Sequence, residues 1–140
     1  MTTAIDTNVI VALWDKDAAL NTLAQSALDN AHQNGKLVVA APVFAELLAA
    51  PSRSETFVNS FFRETGITIE WDLDELVWRA AGKAFRSYAE RRKKQLDASP
   101  RRILADFLIG AHAAKSGYRL LTMDDRLYRV SFHGLTVIKL

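Results

Sequence analysis

The 140-residue chain contains no cysteine. Disulfide scaffolds, cysteine-ligated zinc and thiol nucleophiles are thereby excluded. No uncharged apolar run approaches the roughly 20 residues needed to cross a bilayer. The N-terminus, MTTAIDTNVI, lacks the basic start and small-residue cleavage site of a secretory signal. The expectation is a cytoplasmic protein with no membrane partner. Net charge is also low, at +2, but it is unevenly placed. Between Arg86 and Arg102 there are seven basic residues and two acids, so this segment carries +5 and the remainder of the chain −3. Eleven arginines against seven lysines lean towards phosphate contact, although a basic helix end is also an ordinary solvated surface.

What is present suffices for a folded core. Hydrophobic residues make up 49% of the sequence, which excludes disorder, and a chain of about this length hides roughly two thirds of its unfolded surface. Nothing repeats, and the expectation is a single domain over residues 1–140. Short β-type runs occur at Thr3 to Ile5, Leu37 to Ala40, Ile67 to Ile69, Arg119 to Thr122 and Thr136 to Ile138. Helical patterns lie between them. Asp72 with Glu75, and Ser52 with Glu55, have the spacing of capping boxes. Helices over Ala18 to Asn34 and Ile103 to Ser116 are predicted to stop at Gly35 and Gly117, in the left-handed conformation that glycine favours. Apolar strands alternating with helices predict an α/β fold with a mainly parallel sheet of about five strands covered on both faces.

Three acids stand in unsuitable places. Residues 1–14 contain one charged side chain, Asp6; residues 37–50 contain only Glu46; residues 103–111 contain only Asp106. A carboxylate removed from water costs several kcal/mol unless it is paired or binds a metal, and only Asp106 has a nearby base, Arg102. Asp6 follows the first strand, Glu46 lies early in the helix after the second, and Asp124 follows the fourth. Ligands of an open parallel sheet bind beyond the carboxyl ends of its strands, where the strand order switches. Neighbouring first and fourth strands would place Asp6 and Asp124 on one rim, with Asp106 leaning over it. Four crowded carboxylates predict a divalent cation, and oxygen-only ligands favour Mg²⁺ or Mn²⁺. Together with the basic segment, such a site suggests phosphodiester hydrolysis.

The segments IDTNVIVAL (Ile5 to Leu13), PVFAELLA (Pro42 to Ala49), ADFLIGAHA (Ala105 to Ala113) and LLTMDDRLY (Leu120 to Tyr128) resemble, in order and spacing, the PIN domain family and its VapC-type toxins. The resemblance implies a three-layer α/β/α sandwich and a metal-dependent endoribonuclease that cuts transfer or ribosomal RNA. It also implies a homodimer held inactive by a DNA-binding, VapB-like antitoxin. By position, Asp6, Glu46, Asp106 and Asp124 correspond to the family's catalytic, metal-holding acids. Thr7, Asn8 and Thr122 correspond to the polar residues lining its site. The family register selects Asp124 over Asp125, leaving Asp125 as a cap for the next turn.

Other readings stand beside these. Asp6 suits an N-cap, Asp124 a turn, and Asp106 an ion pair with Arg102. Arg91, Arg92, Lys93, Lys94, Arg101 and Arg102 are candidates for RNA backbone contact, which positions a substrate without reading its sequence. His112 reads as a buried or dimer-facing histidine, and Trp14, Trp71 and Trp78 as core or partner-facing residues. Trp14, Phe57 and Phe61 are the candidate antitoxin surface. A nuclease of structured DNA, an RNA-processing enzyme and a non-catalytic PIN-like binding module remain the competing functions.

Overall fold

The computed structural model describes residues 1–95 and 102–140. Twelve elements follow in order: β1 (Thr3–Ile5), α1 (Thr7–Leu13), α2 (Ala18–Gln33), β2 (Leu37–Ala40), α3 (Ala41–Leu48), α4 (Glu55–Thr65), β3 (Thr68–Glu70), α5 (Glu75–Gln95), α6 (Leu104–Ser116), β4 (Arg119–Thr122), α7 (Arg126–Ser131) and β5 (Val137–Lys139). The strands form one sheet in the order β3-β2-β1-β4-β5, and every pairing is parallel. From β1 the chain steps through β2 to β3 in one direction, then crosses back to lay β4 on the other side of β1. With right-handed crossovers, α1 to α4 cover one face and α5 to α7 the other. The α/β sandwich expected from the strand and helix pattern is the observed fold.

Both faces of the sheet are covered, which is why its central strands are mostly apolar. Every residue of β1 and β2 is buried, as are Leu120, Leu121 and Thr122 of β4. Val9, Ile10, Val43 and Leu47 belong to the same buried core. So does Phe107 of α6, against which Phe85 of α5 stacks at 4.8 Å between ring centroids. Among the described residues no helix is long and apolar enough to cross a membrane.

Several local expectations need correction. α5 begins at Glu75 rather than Asp72, and Asp74 caps it by accepting the Val77 N–H at 3.1 Å. Ser54 rather than Ser52 caps α4, accepting the Phe57 N–H at 3.0 Å, while Ser52 sits in the turn at φ +63°. In both cases a cap must reach an N–H two or three residues ahead, so the competent residue is the one directly before the helix. β3 and β5 are each displaced by one residue from their expected runs. Gly35 is not a left-handed cap: at φ +146° it gives way to the N-terminal backbone, and a Cβ there would lie 2.2 Å from the Met1 carbonyl oxygen.

Gly110, in the middle of α6, has a different reason to be glycine. A Cβ at this position would lie 2.4 Å from the Phe132 ring and 3.0 Å from the Tyr128 ring. The notch lets α7 and the turn after it seat against α6. Glycine costs about 1 kcal/mol relative to alanine inside a helix, so propensity alone favours Gly110→Ala. Overpacking should outweigh that gain, and the variant is expected to lose about 1–3 kcal/mol of stability in a denaturant titration. An unchanged or raised midpoint would show that the two rings relax without penalty.

Candidate active site

The strand order switches between β1 and β4, which pair side by side, and the side chains that meet beyond their carboxyl ends come from four segments. Asp6 is the first residue after β1 and caps α1, its Oδ1 accepting the Thr7 N–H at 2.8 Å. Its Oδ2 accepts two hydroxyl hydrogen bonds, from Thr122 at 2.8 Å and from Tyr128 at 2.9 Å. Asp6 is 5% exposed, and burial pushes its carboxyl up from 3.8 to about 6 despite these donors. Capping and membership of the acidic rim therefore coexist in one residue.

The neighbouring polar residues form a frame around Asp6. Thr122 ends β4 and also accepts the Asp124 N–H at 3.1 Å. Asn8 donates to the Thr122 hydroxyl at 3.4 Å and accepts the Met123 N–H at 3.1 Å, tying α1 to the segment after β4. The Thr7 hydroxyl donates to Glu46 Oε1 at 2.6 Å, connecting α1 to α3. Each of Thr7, Asn8 and Thr122 thus has a local hydrogen-bonding role at the rim.

The other acids arrive from separate elements. Glu46 is half-buried on α3, and burial, then the charge of Asp106, raises its carboxyl. Asp106 lies in the first turn of α6. Burial raises it and the charge of Asp124 adds to the shift, while the Ile103 N–H, 3.1 Å from Oδ2, and the charge of Arg102 oppose it. Asp106 therefore does cap its own helix, a role not expected for an acid inside an apolar pattern. Arg102 pairs with Asp124 at 2.5 Å, not with Asp106, and holds the Asp124 carboxyl below its usual range. Asp125 points elsewhere, to Arg129 at 2.5 Å. It makes no side-chain capping bond; Asp124 Oδ1 receives the Arg126 N–H instead, at 3.3 Å.

Asp106 is linked by charge to each of Asp6, Glu46 and Asp124, so the four acids stand near one another at this rim. The crowding is looser than expected: among the described residues no three acids or histidines converge closely enough to hold a metal ion. Asp124 is occupied by Arg102, and Asp6 by its hydroxyl donors. The donor set still suits a divalent cation. It is all oxygen, and three of its four carboxyls are raised by burial, a penalty that a bound cation would offset.

Of the candidate basic residues, Arg102 reaches the rim through its pair with Asp124. Arg91, Arg92, Lys93 and Lys94 occupy the last turns of α5. Arg92 donates to the Tyr88 hydroxyl at 3.3 Å, and the same oxygen accepts the Arg102 N–H at 2.9 Å. Arg101 lies outside the described residues. His112 is buried, with Nε2 2.8 Å from Glu70 Oε1 and the Tyr118 ring edge-on to it. Trp14 packs edge-on to Phe57 and Phe61, whereas Trp71 and Trp78 are exposed. Tyr128 is the site residue that sequence reasoning missed. The signal was its place at the end of LLTMDDRLY, one helical turn beyond the aspartates; burial and the Asp6 charge raise its hydroxyl.

An open, parallel α/β domain with a carboxylate site at its switch point is the class that fold and rim define. More narrowly, the PIN domain model matches residues 3–133, and the chain belongs to the PIN domain family. Comparison with curated proteins gives no match. Among solved structures, the chain is similar to VapBC2 from Rickettsia felis bound to a fragment of promoter DNA, with a TM-score of 0.70, 18% identity, and 99% and 98% of the two chains covered. VapBC-1 from nontypeable Haemophilus influenzae gives 0.69 and 19%, with the same coverage. FitAcB from Neisseria gonorrhoeae gives 0.65 and 20%, covering 98% and 96%. At these identities the likeness is one of fold.

The raised Asp6 carboxyl has a thermodynamic signature. Its folded value of about 6 exceeds the unfolded 3.8, so its contribution is fully favourable below pH 3.8 and is lost as pH rises through 6. Above that, the metal-free protein carries a penalty on the order of 3 kcal/mol for keeping Asp6 ionised. Metal-free Asp6→Asn is therefore expected to melt several degrees above wild type at pH 7.5 and to converge with it near pH 4. Parallel melting curves across that interval would rule out the proposed ionisation cost.

Proposed function

We propose that the chain is a Mg²⁺- or Mn²⁺-dependent endoribonuclease, the toxin of a VapBC-type toxin–antitoxin pair acting on transfer or ribosomal RNA. The observation carrying this reading is the rim itself: three buried or half-buried carboxyls raised together, with Asp124 and its partner Arg102 beside them. Asp6, Glu46, Asp106 and Asp124 would hold the cation, which when bound supplies activation of a water and neutralisation of phosphate charge. Tyr128, Thr122 and the Thr7 N–H fix both oxygens of Asp6, so the carboxylate is oriented before any ligand arrives. Thr7 does the same for Glu46. Arg102 stands against Asp124, where a substrate phosphate would meet it.

Family membership supports hydrolase chemistry, and the solved neighbours named above support an antitoxin partner, two of them being VapBC assemblies. The partner surface we favour is the Trp14–Phe57–Phe61 cluster, over which the Arg53 guanidinium lies 5.5 Å from the Trp14 ring and 4.9 Å from Phe57. Phe57 is 40% exposed, so the cluster presents aromatic surface to a partner. A homodimer in the cytoplasm completes the proposal.

The deciding experiment is cleavage of total cellular RNA by purified protein in Mn²⁺, Mg²⁺ and EDTA, beside Asp106→Asn prepared identically. Discrete products are expected from wild type with metal only, and a loss of at least a hundredfold in the variant. Equal activity in the variant would dismiss the acidic rim as the catalytic site. Cutting confined to branched DNA would transfer the reading to a DNA nuclease, and absence of any cutting would favour a binding module. Independently, Mn²⁺ at about 100 times its dissociation constant should stabilise the fold by about 2.7 kcal/mol, raising its melting temperature. A melting temperature indifferent to Mn²⁺ would deny the rim a metal.

A further inference from the structure

A concave surface of about 700 Å³ lies along α5, and none of the four rim acids lines it. One wall is a single face of that helix, where Arg79, Lys83, Ser87 and Arg91 recur at four-residue intervals. The opposite wall combines Lys115 at the end of α6 with residues 130–134 after α7. Among the described residues, four cations and His133 line this groove and no carboxylate does. Arg79 is paired with Glu75 at 2.6 Å. Among the described residues, Lys83, Arg91 and Lys115 form no ion pair. Ser131, also in the lining, has a buried hydroxyl without a hydrogen-bond partner.

Like charges gathered on one concave surface repel, and a bound anion would relieve that repulsion. The spacing of these charges selects its shape. Lys83 and Arg91 are eight residues apart on one helix face, about 12 Å, and the α5 wall from Leu76 to Arg91 runs about 22 Å. A compact anion spans neither distance, whereas a strand with one phosphate per ~3.4 Å would lay about six along the wall. Small and apolar residues between the cations leave room for sugars.

One end of the groove connects to the acidic rim through a short chain of bonds. Arg91 closes it at the C-terminal end of α5, and the next residue, Arg92, bonds the Tyr88 hydroxyl. That hydroxyl accepts the Arg102 N–H, and Arg102 pairs with Asp124 of the rim. We propose that this groove carries the sugar–phosphate backbone of the RNA substrate as it leaves the acidic rim, with Lys83, Arg91 and Lys115 as its phosphate contacts. The proposal rests on the ribonuclease reading for the identity of the polyanion. It adds a binding path on α5, α6 and the α7–β5 connection, extending beyond the basic helix end.

The test uses the full chain in EDTA, so that binding is read without cleavage. A fluorescein-labelled single-stranded RNA of 12 nucleotides is titrated by anisotropy between 50 and 300 mM KCl. Lys83→Gln/Lys115→Gln is compared with wild type and with Arg86→Gln, a cation outside the groove that lies 3.8 Å from Glu90. All three substituted side chains are exposed, and matching thermal melts would confirm that the variants fold. Two lost phosphate contacts should lower the slope of log affinity against log salt by about 1.4, and weaken binding on the order of tenfold at 50 mM. Arg86→Gln should alter neither quantity.

An unchanged slope in the double variant would overturn the proposal, as would an equal loss in Arg86→Gln or absence of RNA binding by wild type. Displacement of the RNA by polyglutamate at lower charge concentration would assign the groove to an acidic protein and likewise overturn it. Because cleavage plays no part in this measurement, a groove that binds RNA in a protein that cuts none would discard the nuclease reading and keep the groove.

Discussion

A carboxylate has to be kept out of water beyond the paired ends of β1 and β4, and much of the surrounding architecture serves to make that tolerable. Asp6 accepts a backbone N–H and two hydroxyls, arriving from α1, β4 and α7. Those donors lower the cost of burying it, yet burial still dominates and leaves the carboxyl raised. The residues that orient Asp6 are themselves held: Thr122 by the end of its strand, Asn8 through the Met123 N–H, and Tyr128 by its seat against α6. Removing one donor would disturb a connected polar network rather than one isolated contact.

The arrangement of charge over the rest of the molecule follows from this. Four of the sixteen acids lie at the rim and seven of the eighteen Lys and Arg residues lie on α5, so a molecule of net charge +2 carries local charge of both signs. Arg102 stands at their boundary, using its guanidinium on Asp124 and its backbone N–H on Tyr88. A polyanion approaching the rim would meet repulsion from the carboxylates and attraction from α5. The path of least cost runs along the helix before it reaches the acids.

Much of this was legible in the sequence because burial writes a clear pattern. A lone acid in an apolar segment is expensive, and Asp6, Glu46 and Asp106 were found by that expense alone. The strand positions were equally legible, since strands covered on both faces must be mostly apolar. Helix starts were harder to read: Asp72 and Asp74, or Ser52 and Ser54, offer the same chemistry two residues apart, and only backbone geometry decides which reaches an N–H. Pairings between distant segments had no local signature. Nothing in the sequence shows that Arg102 turns to Asp124 in preference to Asp106, four residues ahead of it, or that Tyr128 reaches back 122 residues to Asp6. Both follow from the crossover that brings β4 beside β1.

Gly110 lies four residues after Asp106, so the notch and the acid fall on nearly the same side of α6. The helix presents a charge on one turn and a gap on the next, and the gap receives the tyrosine that bonds Asp6. A rotation or slide of α6 that displaced Asp106 would also push its own backbone into Tyr128 and Phe132. The helix that carries Asp106 and the tyrosine that bonds Asp6 therefore meet at a missing side chain.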